Sequence, residues 1–169
     1  MKKTLLTTIF FLFILTVIRI TTYPNFKKLK TVLNVEYKYP TEINWKLTYD
    51  SDVEFEKENG INFINGKAKN AEIYSGYLSL SKKVDEKDTK RLIEILNDST
   101  SYVWGEIGTF EPNKSIVFYD QNNKIIGITE LDCAKRQTYS SPMTRTMKWG
   151  FLSYNGRDSI YEIIEKYVW

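Results

Sequence analysis

The residues whose chemistry could act on a bond gather in one stretch, Trp104–Cys133, WGEIGTFEPNKSIVFYDQNNKIIGITELDC. It holds the one cysteine of the chain, Cys133, and the carboxylates Glu106, Glu111, Glu130 and Asp132. Two carboxylates held about 5–10 Å apart would suit acid/base work of the kind used in glycoside hydrolysis. A cysteine thiolate would suit nucleophilic attack, but it needs an activating base or cation. The chain has no histidine, which removes imidazole as base, as orienting partner and as metal ligand. Only Lys135 or Arg136 stands close enough in sequence to lower the thiol pKa. The plainer readings are a structural thiol at Cys133 and solvated charges at strand ends. There is no Gly-rich phosphate loop, Ser-x-x-Lys or Gly-x-Ser-x-Gly. With one cysteine, an intramolecular disulfide and a zinc cluster are excluded, and neither metal nor cofactor is expected.

Binding is the better use of these residues. Tyr119 with Trp104, Phe110 and Trp149 can line an aromatic surface, although ordinary core packing explains them as well. Lys135, Arg136, Arg145 and Lys148 can meet an anionic headgroup or an acidic partner, or form a solvated loop. The candidate binding set is therefore Glu106, Glu111, Tyr119, Glu130, Asp132, Arg136 and Arg145, with no catalytic residue assigned.

The element that positions this set is a predicted β-hairpin. Its arms are Ser115–Tyr119 and Ile125–Leu131, joined by Asp120-Gln121-Asn122-Asn123-Lys124, residue types that tolerate turns. Ile116 and Phe118 point one way, Val117 and Tyr119 the other, so both faces need cover. Ile126 and Ile128 should share one face, with Ile125, Gly127, Thr129 and Leu131 on the opposite one. Gly127 marks a bulge or a close approach. Trp104–Ile107 reads as a short additional strand.

Upstream, Leu33–Tyr39 and Ile43–Tyr49 alternate apolar and polar residues with period two, the pattern of half-buried strands, with Val53 and Phe55 extending the second. Asn59-Gly60 and Asn65-Gly66 signal turns, which makes Ile61–Ile64 and Ala71–Leu80 further strands of a meander. Asp85 caps a predicted helix whose stripe is Thr89, Leu92, Ile93 and Leu96, ending near Asn97-Asp98. A second helix, capped by Ser153 or Asn155, carries Ile160, Ile163, Ile164, Tyr167 and Val168. Ala134–Thr146 reads as an exposed loop, with one more short strand over 147–151. Aromatic content of 15% and few prolines agree with a sheet-rich domain.

The formal charge of +3 comes from the N-terminus. Lys2, Lys3 and Arg19 lie in a segment without an acid. Setting those three aside from the 24 basic residues balances the rest of the chain against its 21 acids. A neutral body lacks the footprint of a nucleic-acid binder, so no nucleic-acid partner is expected. Lys2-Lys3 followed by Leu5–Ile18 fits a secretory signal. Residues 4–23 also have about the length of a membrane span, and no Ala-x-Ala cleavage pattern follows. The segment 1–23 is a signal peptide or an uncleaved anchor, residues 24–31 a short basic linker, and 32–169 one domain.

The run Glu106-x-Gly-x-Phe-Glu-Pro, Ile116-Val-Phe-Tyr-Asp, Lys124-Ile-Ile-Gly and Leu131-Asp-Cys133, with Gly150-Phe-Leu-Ser-x-x-Gly156-Arg before the last helix, resembles a group of small exported bacterial α+β proteins. The resemblance covers about Val84–Tyr167. It implies export and carries no activity. Members often have a cysteine before the proline and a Cys-x-x-Cys after the hairpin. The matching positions here are Ile107 or Gly108, Cys133 and Arg136, so one of three thiols remains.

The expectation is an α+β domain: an antiparallel sheet built from a meander and a central hairpin, two amphipathic helices packed on it, and an N-terminal hydrophobic segment. Functionally this is a membrane-anchored or exported envelope protein, on the extracytoplasmic side, with a non-catalytic binding domain for an envelope protein partner. A carboxylate-based hydrolase and a membrane-held immunity or inhibitor protein are the alternatives.

Overall fold

The computed structural model describes residues 2–22, 45–64, 68–75, 80–105 and 108–168. The expected strand over 33–39, the basic linker, the Asn65-Gly66 turn and Glu106 lie outside the described residues. Five helices are described: α1 (Lys2–Thr22), α2 (Trp45–Glu58), α3 (Glu86–Asn97), α4 (Arg145–Trp149) and α5 (Tyr154–Glu165). Seven strands accompany them: β1 (Asn70–Ser75), β2 (Leu80–Val84), β3 (Tyr102–Trp104), β4 (Lys114–Tyr119), β5 (Ile125–Asp132), β6 (Gln137–Ser141) and β7 (Gly150–Leu152). One five-stranded antiparallel sheet has the order β2-β1-β4-β5-β6, and β3 pairs with β7 in a separate ribbon. The expected α+β class and antiparallel sheet are present, with the helix count exceeding the two foreseen.

The hairpin forms because Asp120 organises its turn. Its carboxylate Oδ1 accepts from the backbone N–H groups of Asn122 (2.8 Å) and Lys124 (2.9 Å), and Asn123 takes the left-handed backbone at φ 58°. β4 and β5 then pair with Ile116 opposite Thr129 and Val117 opposite Ile128. Ile116, Phe118 and Leu131 enter the main core, while Val117, Ile128 and Tyr74 form a smaller cluster on the other face. The register shifts between Phe118 and Tyr119. That irregularity corrects the expected alternation: Ile126 packs on the main core, and Ile125 joins Ile128 on the second face. Gly127 is a close approach. A Cβ there would meet Ile64 Cδ1 and come within 3.0 Å of Phe63 Cζ, where Phe63 stands edge-on to Phe118 with centroids 5.5 Å apart.

Two helices cover the main core face. Asp85 caps α3 by accepting from Asp88 N at 2.7 Å, and Ser153 Oγ caps α5 by accepting from Gly156 N at 3.0 Å. Leu92, Ile93 and Leu96 of α3 and Ile160, Ile163 and Ile164 of α5 are buried together with Ala71, Ile73 and Val84 of the sheet. Each large apolar side chain so covered contributes roughly 1.5–3 kcal/mol before entropy. Tyr167 and Val168 pack on the core from beyond the end of α5. The two helices are also tied at their ends, where Asp88 accepts from Lys166 Nζ (3.2 Å) and from the Tyr167 hydroxyl (3.0 Å).

Two segments depart from expectation for one reason. From Trp45 onward, the strand expected over 43–49 and extended to Val53 and Phe55 is instead part of helix α2. Its inward positions are Tyr49, Asp52, Val53 and Glu56, an i, i+3, i+4, i+7 stripe whose two carboxylates hide it from a reading of hydrophobic period. Likewise the loop expected over 134–146 contains β6, and α4 begins at Arg145. Gln137, Thr138, Ser140 and Ser141 are buried though polar, and β6 pairs with β5 along its length. Residues 61–64, expected as a strand, run as irregular chain, and 71–80 divides into the β1–β2 hairpin. Residues 147–149 of the last expected strand are helical.

α1 differs in kind from these. From Leu5 to Ile18 its large apolar side chains are exposed on all sides, Leu15 being half-buried. Among the described residues no helix is long and apolar enough to cross a membrane.

Candidate functional site

The described site residues fall into four places. At the end of the hairpin, Asp132 is buried and accepts from the backbone N–H groups of Glu111 (3.0 Å) and Lys135 (3.2 Å). Lys135 Nζ lies 3.6 Å from Asp132 and donates to Glu111 Oε2 (3.1 Å) and the Thr109 carbonyl (2.8 Å). Burial pushes the Asp132 carboxyl up, but the two N–H donors and the Lys135 charge together hold it below its ordinary value. This constellation staples the loop before β4 to the turn after β5. Both carboxylates here face a common cation, the arrangement of a structural clamp.

On the second sheet face, Glu72 Oε2 accepts from the hydroxyls of Tyr74 (2.8 Å) and Tyr119 (3.2 Å). Burial raises both phenols, with the Glu72 charge adding to it. Glu130 lies on this face too, buried, with Ser115 and Tyr139 as its cross-strand neighbours. Tyr119 and Glu130 therefore share a face, as Glu111 and Asp132 share a clamp.

The basic residues after Cys133 do not form one surface. Arg136, at φ 56°, stacks its guanidinium 4.2 Å above the Tyr154 ring and donates to the Leu152 carbonyl at 3.3 Å. Arg145 pairs with Asp52 of α2 at 3.4 Å. Cys133 is half-buried. Burial raises its thiol, only partly offset by the Tyr161 hydroxyl and the Lys114 charge, so the thiolate that nucleophilic attack needs is disfavoured. Trp104 is exposed and Phe110 half-buried, with the Phe110 ring 6.4 Å from that of Tyr139. Among the described residues no group of three His, Cys, Asp or Glu side chains is placed to hold a metal.

A further site was absent from the sequence reading except for Arg145. α2 sets Asp52 and Glu56 one turn apart, and both are buried, at 1% and 8% exposure. Glu56 Oε1 accepts from the backbone N–H of Thr146 at 3.1 Å. Beside it, a cavity of about 480 Å³ opens between the C-terminal half of α2, the C-terminal end of α3 and α4, with Glu56, Asn97, Tyr102 and Thr146 in its lining. The Tyr102 hydroxyl donates to the Leu96 carbonyl at 3.0 Å. The hydroxyls of Thr146 and Tyr49 are buried without a hydrogen-bond partner. Burial, then the Glu56 and Asp50 charges, push the Tyr49 phenol up to about 12. Buried polar atoms in folded proteins are nearly always paired, so these two hydroxyls are exceptions to the rule. The signal available in the sequence was Tyr49-x-x-Asp52-Val53-x-x-Glu56, a helical spacing written partly in acids.

No family model matches the chain, and no curated protein or solved structure matches it.

Proposed function

We propose that the chain is an envelope protein held at a membrane by α1, with the remaining domain acting as a non-catalytic binding module on the extracytoplasmic side. The observation that carries this reading is α1 itself. Ten of its large apolar side chains, Leu5 to Ile18, face outward in every direction. Such a helix is unstable in water without cover, and Lys2 and Lys3 at its start suit a headgroup region. The non-catalytic half of the reading is supported by how the candidate groups are occupied: Asp132 and Glu111 by Lys135, Glu72 by two phenols, and the Cys133 thiol by a setting that keeps it protonated.

The test is fractionation of cells expressing the full chain, followed by a high-salt and carbonate wash of the membranes. The protein is expected in the washed pellet. Recovery of full-length protein in the soluble fraction would overturn the proposal.

A further inference from the structure

We infer that α2 is a detachable clasp: it opens as one unit about Asn59 and Gly60, while the sheet, α3 and α5 stay folded, and so uncovers an apolar face beneath it. The inference goes beyond the proposed binding role and does not depend on where the protein resides.

The chain on the two sides of Gly60 is held very differently. Downstream, Phe63 and Ile64 are buried in the main core. The Phe63 N–H donates to Asn97 Oδ1 at 2.7 Å, and Asn97 Nδ2 donates back to the Ile64 carbonyl at 3.4 Å. Upstream, α2 gives the main core a buried Tyr49 and a half-buried Val53, where α3 gives Leu92, Ile93 and Leu96 and α5 gives Ile160, Ile163 and Ile164. Apolar area removed from water is what fixes a helix on a core, and α2 has less of it than either of the others. Its other inward groups are Asp52 and Glu56. Both are met from α4, Asp52 by the Arg145 guanidinium at 3.4 Å and Glu56 by the Thr146 N–H at 3.1 Å. Such contacts largely offset the desolvation of the carboxylates and add little beyond that. Docking also leaves the Tyr49 and Thr146 hydroxyls without a hydrogen bond, a cost that water removes on opening. The pivot suits the motion. Gly60 has φ 60°, and nothing stands within 4 Å of where a Cβ would be. Beneath α2, Leu96, Tyr102 and Met147 are buried and line the cavity beside Val53. They are the apolar face that opening bares.

The experiment is amide hydrogen exchange, read by NMR, on the full chain in detergent micelles. The amides of Val53, Phe55 and Lys57 are expected to exchange with one common opening constant, about 100-fold above that of Ile128 in β5 and Ile163 in α5. Arg145→Met strips Asp52 of this ion-pair partner and is expected to speed the three α2 amides by about tenfold, with Ile128 and Ile163 unchanged. Tyr49→Phe supplies the opposite sign. It removes the unpartnered hydroxyl and keeps the ring, so α2 exchange is expected to slow by about tenfold. Equal protection of α2 and the two reference amides, acceleration of all five alike by Arg145→Met, or α2 exchange in Tyr49→Phe as fast as the parent's or faster overturns the inference. Membrane recovery is measured separately, so such a failure leaves the tethering proposal standing.

Discussion

Replacing Gly156 by alanine sets two well-known effects against each other. Gly156 is in the first turn of α5, and by helix propensity alone alanine there should stabilise the protein by about 1 kcal/mol. The packing opposes this. A Cβ on Gly156 would meet the carbonyl oxygen of Ser101 and lie 2.9 Å from its Cα and 3.0 Å from its carbonyl carbon. Carbon atoms in contact rest at about 3.5–4.0 Å, so the Ser101 backbone would have to retreat by roughly 0.5–1 Å. It is poorly placed to do so. The same Ser101 carbonyl accepts from Ser153 N at 2.8 Å, and Ser153 Oγ donates to the Thr100 carbonyl at 3.1 Å. Overpacking of this sort costs about 1–3 kcal/mol, and weakening one of those bonds about 1 kcal/mol more. The sum is a net loss of about 1–3 kcal/mol, or a fall in Tm of roughly 2–12 °C for a chain of this size. Urea unfolding with an unchanged m value measures it, with the exposed neighbour Asn155→Ala as a propensity control. A midpoint at or above the parent's would refute the claim that backbone contact, and not propensity, decides this position.

Further expectations follow from the core and the titrating groups. Ile163 is fully enclosed, so Ile163→Asp should unfold or aggregate the domain; a soluble variant with a cooperative transition would contradict the packing of α5. The folded Asp132 carboxyl lies below its ordinary value of 3.8, so its contribution is complete above that pH and is lost as acid carries the solution down through the folded value. The stability gap between parent and Asp132→Asn should accordingly narrow between pH 7 and pH 3; an equal gap at both would sink the clamp. Tyr49 is raised to about 12, so its stabilising effect is complete below pH 10 and declines between about 10 and 12. Absorbance at 295 nm should reveal this as a late-titrating phenol that Tyr49→Phe removes. Cys133 should react with iodoacetamide more slowly in the native protein than in urea at the same pH, and equal rates would contradict its raised thiol.

The elements legible in the sequence were those whose burial is written in apolar residues. α3 and α5 carry unbroken stripes from a Ser or Asp cap, and β4 and β5 flank an Asp-Asn turn, so period and punctuation agree. α2 and β6 bury acids, amides and hydroxyls, and a reader of hydrophobic period takes such residues for surface. The same physics explains the site. That Glu111 would meet Asp132, and that Tyr119 and Glu130 would share a face, was foreseeable once the hairpin register was known. Arg145 belongs instead with Asp52, 93 positions away, through an ion pair that no local pattern announces. Thr146, whose buried hydroxyl has no hydrogen-bond partner, sat in a stretch that looked like loop.

One more consequence follows from the order of the strands. Among the described residues β2 is an outermost strand of the five-stranded sheet, and such an edge is where another chain can add itself. Its sequence is Leu80-Ser81-Lys82-Lys83-Val84, with Ser81, Lys82 and Lys83 exposed. Paired lysines on a border strand repel an identical copy presented in register. That repulsion disfavours edge-to-edge fusion of sheets from two copies.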